Sequence, residues 1–170
     1  MNKRELFKSN DVPYINIKHC LIVKRENSFP SDNVTSVFAF VRNEDGEFLV
    51  FEHSMDDNRK IDIAGGHVEK NESFLTAVQR EVLEETGYSI KNIKYVATKY
   101  ISLYGEKPIN YKYPFPNSNM LFFVANVDKK VTDALFDDSA KAFFMSYNDL
   151  YEMLPDETKC ILKSIIDDDI

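Results

Sequence analysis

Three glutamates, Glu81, Glu84 and Glu85, stand at i, i+3 and i+4 in the chain. On a helix that spacing sends their carboxylates to one side, with Cβ atoms about 5–6 Å apart. Carboxylates this close repel, so at neutral pH they raise one another's pKa or capture a cation. Ligands made only of oxygen favour a hard divalent ion, and Mg²⁺ keeps positions open for water and phosphate oxygens. A glutamate-rich helix face is more often simply solvated, so REVLEE alone does not decide between the two readings. The helix that must carry these groups is legible around them. Ser73 is a natural N-cap, whose hydroxyl can accept from a free amide of the first turn. Phe74, Val78 and Val82 recur every four residues, with Leu75 filling the same apolar stripe. Gly87 supplies a left-handed stop that a residue with a Cβ would resist. Ahead of the helix lie two glycines, Gly65 and Gly66, and a polar turn.

Read over its full length, the stretch is more specific than its acids. Gly66 is followed after five residues by Glu72 and after seven more by Arg80, then by Glu81, Val82, Glu84, Glu85 and Gly87. This resembles the signature of the Nudix hydrolases. Every charged and glycine position matches; the signature ends in an aliphatic residue where this chain has Tyr88, a packing position. Family members often carry Trp and Pro just before the glycines, where Ile61 and Ala64 stand here, a change expected to alter local packing.

Composition sets the outer bounds. A chain of 170 residues suits one compact domain; the reading is a single domain over 1–170, with an N-terminal extension over 1–32 that includes a strand and a C-terminal helical segment over 148–170. Thirteen Phe and nine Tyr supply bulky core material without any Trp. A net charge of −7 and a pI near 5.0 argue against a non-specific grip on nucleic acid, so a polyanionic substrate would need a metal as intermediary. Cys20 and Cys160 are far apart and in no metal-type spacing, which reads as two buried, reduced thiols in the cytoplasm. No apolar run reaches membrane-spanning length.

The remaining segments read in order. A short helical turn is expected around Arg4–Lys8, then a strand over Tyr14–Arg25, in which His19 reads as a satisfied packing residue. Val34–Val41 and Glu47–His53 flank an Asn-Glu-Asp-Gly turn and form a hairpin. Ile61–Ala64 is a short strand leading into the glycines; His67, just beyond them, reads as a solvent-facing loop residue. Ile93–Leu103 is a strand bent near Ala97–Thr98, Met120–Val127 a buried strand and Lys141–Ser146 a last short one. Asn148 caps a turn, and Pro155 opens a helix whose Cys160, Ile161, Ile165 and Ile166 pack inward. A mixed sheet with helices on its faces is the expected class, α/β; the resemblance sharpens it to the Nudix α/β/α sandwich.

The resemblance also implies an activity: Mg²⁺-dependent hydrolysis, with Mn²⁺ as a substitute, of a phosphoanhydride bond in a nucleoside diphosphate linked to another moiety, or in a nucleoside triphosphate. Arg80, Glu81, Glu84 and Glu85 are then the catalytic set, and Glu81, Glu84, Glu85 and the carbonyl of Gly65 the metal ligands. Arg80 orients Glu81, Glu72 pairs with Arg80, and Gly66, Glu72 and Gly87 are structural; which glutamate is ligand and which is base stays open. Some members use a further acid outside the motif, for which Asp138 and Glu106 are rivals. The proline-dense segment from Tyr104 to Ser118 is expected to set specificity, with Tyr113 or Phe115 either stacking on a base or packing on the core. Tyr113 to Ser118 is partly similar to the motif of NADH-cleaving members. The expected partner is a small nucleotide, with neither nucleic acid nor membrane, and a homodimer is compatible. The competing class is a catalytically silent nucleotide-binding or regulatory protein on the same fold, which an intact Arg80, Glu81, Glu84 and Glu85 disfavours.

Overall fold

The structure, a computed structural model, describes residues 4–13, 15–55, 58–131 and 141–168. Apolar residues alternate along most of the strand segments, so each strand has two differently dressed faces, and the sheet they form has to be covered on both. The strands are β1 (Arg4–Ser9), β2 (His19–Arg25), β3 (Val34–Arg42), β4 (Phe48–Met55), β5 (Asn58–Asp62), β6 (Gly65–His67), β7 (Tyr88–Leu103), β8 (Asn117–Lys130) and β9 (Lys141–Met145), and the helices are α1 (Phe74–Thr86), α2 (Tyr147–Met153) and α3 (Asp156–Asp167). Among the described residues the nine strands form one mixed sheet in the order β1-β2-β7-β8-β3-β4-β5, with β6 on β3 and β9 on β4. β3 and β8 run parallel; the other pairs are antiparallel.

The period of two divides the core. On one face Phe40, Phe48, Phe122 and Val124 pack with Leu150, Ile161, Leu162 and Ile165 of α2 and α3. On the other, Val37, Ala39, Val41, Leu121 and Phe123 pack under Ala77, Val78 and Val82 of α1. The α/β/α layering expected of the family is thus present. No described helix is long and apolar enough to cross a membrane.

The hairpin forms where Asp-Gly marks it: Asn43 Oδ1 accepts from the Glu47 N–H at 2.8 Å and Gly46 takes φ +80°. His19 is a satisfied core histidine, its Nε2 accepting from the Val12 N–H at 3.0 Å; that leaves Nδ1 to donate to the Ile17 carbonyl, 2.6 Å away. Tyr88 packs edge-on against Phe144, ring centroids 5.7 Å apart, which accommodates the aromatic residue at the end of the motif.

Several expectations are corrected. Arg4–Ser9 is an edge strand paired to β2 rather than a helical turn: long-range pairing outweighs a local preference in so short a segment. The strand expected from Tyr14 begins at His19. β7 starts at Tyr88 rather than Ile93, and its register against β8 shifts between Ser89 and Ile90, between Lys91 and Lys94, and between Tyr95 and Ala97, the last beside the expected bend. Ser146 rather than Asn148 caps α2, accepting from the Asp149 N–H at 3.2 Å. Ile166 is 45% exposed because Ile161, Leu162 and Ile165 take the inward face, and Leu75 is 47% exposed for the same reason beside Ala77 and Val78. Cys20 and Cys160 are free but only half-buried.

Candidate active site

α1 is a capped, rigid carrier. Ser73 Oγ accepts from the Thr76 N–H at 3.1 Å and Gly87, at φ +76°, closes the helix on the Leu83 carbonyl. Burial of Val78 and Val82 sets its rotation, which turns Arg80, Glu81, Glu84 and Glu85 toward the edge where β6 lies on β3. There Gly65 pairs with Phe38 and Gly66 with Val37. A Cβ on Gly65 would run into the Val37 carbonyl and Phe38, and one on Gly66 would sit 2.6 Å from the carboxylate of Glu81. The two glycines therefore let a glutamate side chain come down onto backbone.

Arg80 is the hub. Its Nε and Nη2 donate to the two oxygens of Glu72 at 2.9 and 3.0 Å, a bidentate fork that a lysine cannot make. Nη1 donates to Glu81 Oε1 at 2.9 Å and Glu84 Oε2 at 3.0 Å, while Nη2 also reaches the His67 carbonyl at 3.0 Å. The carboxylates hold the guanidinium firmly protonated, and the fork keeps the Glu72 carboxyl below its usual range. Glu81 goes the other way: burial raises it despite Arg80. Glu85 differs again. Its Oε2 accepts from the Gly65 N–H at 2.8 Å, and burial pushes its carboxyl up to about 8, with Glu81, Asp62 and Glu84 adding to the rise.

The donor set fits a hard divalent cation. Every candidate ligand is an oxygen, the missing Cβ of Gly66 lets the Glu81 carboxylate lie against the loop, and the half-buried Glu85 carboxylate gains most from a positive charge beside it. Glu81 and Glu84 are turned to Arg80, and among the described residues no three acidic, histidine or cysteine side chains converge as a ready-made metal cluster.

Alternation along β3, β7 and β8 opens a cavity of about 460 Å³ on the α3 side of the sheet, lined by Phe38, His67, Ser118, Met120, Tyr111 and Tyr113. The stretch Ile15–Ile17, ahead of the buried His19, also lines it. Tyr113 OH and His67 Nε2 are 3.0 Å apart and the two rings are parallel within 9°, so the proline-dense loop is fastened to the glycine loop. His67 is exposed as expected of a loop residue, yet it faces a partner 46 positions on.

The structure thus brings together Gly65, Gly66, Glu72, Arg80, Glu81, Glu84 and Glu85, with Tyr113 beside them. Phe115 packs against the α3-side core and edge-on to Tyr111, and does not itself line the cavity. Glu106 is exposed and does not line this cavity. Asp138 lies outside the described residues. Tyr111, Ile15 and Ile17 were not singled out in the sequence; the alternation Tyr111-Lys112-Tyr113 carried a signal for the first, and nothing local marked the other two.

The NUDIX domain model matches residues 32–165. The chain is 28% identical over 152 residues to the NAD-capped RNA hydrolase NudC of Escherichia coli O1:K1 / APEC, covering 89% of this chain and 51% of that one. It is 29% identical over 154 residues to NudC of Escherichia coli strain K12 / DH10B, again with 51% of the relative covered. The chain therefore spans about half the length of these curated relatives. Among solved structures, the Bacillus subtilis pyrophosphohydrolase BsRppH superposes with a TM-score of 0.62 at 23% identity, covering 88% of this chain and 80% of that one. The MutT protein of Methanosarcina mazei Go1 superposes with a TM-score of 0.54 at 23% identity, covering 83% and 99%.

Proposed function

The chain belongs to the Nudix hydrolase family, and we propose that it is a magnesium-dependent hydrolase of a phosphoanhydride bond in a nucleoside diphosphate linked to a second moiety. The observation that carries this reading is the Arg80 fork. One guanidinium holds Glu72, Glu81 and Glu84 beside two glycines whose backbone receives Glu85. Glu81, Glu84, Glu85 and the Gly65 carbonyl would hold the ion. A magnesium ion held there would supply positive charge to neutralise the diphosphate and polarise phosphorus toward water; manganese, with the same preference for oxygen, would substitute. Arg80 aims Glu81 and Glu84 through its Nη1 hydrogen bonds, and Glu72 locks Arg80 to the loop, so these side chains need little reorganisation when charge develops. Tyr113, with Tyr111, would stack on the base in the larger cavity, leaving the second moiety to the neighbouring part of the sheet face.

The substrate is read as a small nucleotide. Because the relatives' name includes a nucleotide-capped RNA, a capped oligonucleotide belongs in the same assay. A reducing compartment, the cytoplasm, suits the two free thiols. The test is a screen of dinucleotides, sugar nucleotides, nucleoside triphosphates and capped RNA with Mg²⁺, scoring phosphate-containing products. Magnesium-dependent release that is lost with EDTA is expected. Tight nucleotide binding without turnover of any member would instead support the silent binding protein.

A further inference from the structure

The cavity beside Tyr113 has a wall to which the catalytic reading assigns no task. Ile15, Asn16 and Ile17 line it, and they precede residue 32, where the match to the NUDIX domain begins. They belong to no helix or strand, so other bonds must hold them in place. His19, 3% exposed, supplies two. Its Nε2 accepts from the Val12 N–H at 3.0 Å and its Nδ1 donates to the Ile17 carbonyl at 2.6 Å, so one buried ring ties both ends of the stretch. The Ile15 N–H donates to the Val12 carbonyl at 3.0 Å, and the Lys18 carbonyl accepts from the Tyr104 N–H at 2.8 Å. Ordering an irregular segment costs conformational entropy, and these four bonds offset that cost against one wall of the cavity.

In a mostly apolar cavity the few hydrogen-bonding groups decide what is recognised. Here all the polar side chains but one are already engaged with the protein. Thr35 Oγ1 donates to the Asn119 carbonyl at 3.2 Å, and Ser36 Oγ donates to Thr35 Oγ1 at 3.4 Å. His67 and Tyr113 bond each other at 3.0 Å, and Tyr111 shares a hydrogen bond with Ser118. The side-chain amide of Asn16 makes no hydrogen bond among the described residues. Asn16 is exposed while lining the cavity, which places it at the rim, bonded to water until a ligand enters.

We propose that Asn16 is the residue that reads the base in this cavity, and that His19 is the residue that positions it. A carboxamide presents a donor and an acceptor side by side. Adenine answers that pattern on both sides of its 6-amino group, which donates between two ring-nitrogen acceptors. The Hoogsteen edge of guanine shows two acceptors and meets only half of it. Stacking beside Tyr113 admits any base, because every base has a π face; the amide is what chooses among them. The proposal rests on the hydrolase reading and deepens it: the segment ahead of the matched domain selects the base, and the acids of α1 carry out the reaction.

Two measurements separate this from the reading on which it rests. The first compares a nucleoside diphosphate compound carrying adenine with its counterpart carrying unsubstituted purine, both with Mg²⁺. Wild type should show a KM about fivefold to a hundredfold lower for the adenine compound. Asn16→Leu, which keeps the size of the side chain without its amide, should erase most of that preference through KM rather than kcat. His19→Leu should erase it too, and His19→Asn, whose amide keeps a donor for the Ile17 carbonyl, should restore part of it. No preference in wild type, or an equal one in Asn16→Leu, would overturn the proposal; a full preference in a folded His19→Leu would remove His19 from its positioning role. The second measurement needs neither turnover nor a His19 variant. In NMR spectra of the protein in EDTA, adenosine should shift the Tyr113 ring and the side-chain amide pair of Asn16, identified by its absence from Asn16→Leu. Purine riboside should shift the ring with a smaller effect on the pair. Equal effects of both nucleosides on the pair, or no shift of it, would overturn the proposal even if the His19 variants fail to fold. Wild type that cleaves neither compound would sink the hydrolase reading alone, with the NMR comparison still deciding what Asn16 reads.

Discussion

The edge of α1 and the trough on the α3 face are built by opposite means. At the α1 edge every charged group comes from one stretch of sequence, and each is tied by a bond of about ordinary length: 2.9 and 3.0 Å from Arg80 to Glu72, 2.9 Å to Glu81 and 3.0 Å to Glu84. In the trough Lys99 and Glu157 are 58 positions apart and meet at 3.5 Å, while Tyr113 and His67 join loops 46 positions apart. A network that must hold charge in place during a reaction is closed before the substrate arrives. The proposed function needs the first region for its chemistry, whereas the second is held together by contacts between distant segments.

The sharpest break of that contrast is Glu85→Gln. Turnover should fall on the order of 10²–10⁴-fold while the melting temperature holds, because the amide keeps the bond from the Gly65 N–H. A near-wild-type rate on any substrate found in the screen would move the site elsewhere. Next is Gly66→Ala, whose Cβ would enter the space of the Glu81 carboxylate. Displacement of that group by even about 1 Å costs on the order of 10²-fold, and unchanged kcat would show that Glu81 takes no part. Arg80→Lys keeps the charge but not the fork to Glu72; equal rates and equal melting temperatures in the two proteins would remove Arg80 from its positioning role.

In the trough, Tyr113→Ala should raise KM about tenfold to a hundredfold by loss of stacking, with magnesium affinity and thermal stability little changed. Phe115→Ala should do the reverse, because Phe115 packs on the core rather than lining the cavity: a lower melting temperature with KM unaltered. A KM effect from Phe115 and none from Tyr113 would redraw the specificity site.

The smallest effect concerns pH. The Glu85 carboxyl is raised from 4.5 to about 8 in the folded chain, so its contribution to stability is fully present below about pH 4.5 and is lost as pH rises through about 8. Metal-free protein should therefore melt on the order of a few °C lower at pH 8.5 than at pH 6 from this group. Magnesium should recover the loss at pH 8.5 in wild type and have little effect in Glu85→Gln. A melting curve indifferent to both pH and magnesium in that window would contradict the burial of this carboxylate beside a cation site.

Much of the α1 edge was legible because helix periodicity is local. Ser73, Val78, Val82 and Gly87 specify where the helix starts, how it is rotated and where it stops, and from these the shared side of Glu81, Glu84 and Glu85 follows. The β3–β4 hairpin was equally plain in Asp-Gly. Where local signals competed, the reading slipped: Leu75 fits the apolar stripe as well as Ala77 does, and only the sheet beneath α1 decided that Ala77 is covered and Leu75 exposed. Arg4–Ser9 could pass for a helical turn until β2 supplied a pairing edge.

The sequence by itself determined the spacing of the acidic groups on α1 and the chemical class of its side chains, because both depend on intervals of three, four and seven residues along one stretch. The tertiary structure alone decided that Lys99 would face Glu157, that Tyr113 would lie on His67 and that Phe115 would turn to the core. Those contacts depend on strand order and register. A shift of one residue in β7 or β8 would send Lys99, Met120 and Phe122 to the α1 face, and no interval within a single segment records which register the sheet adopts.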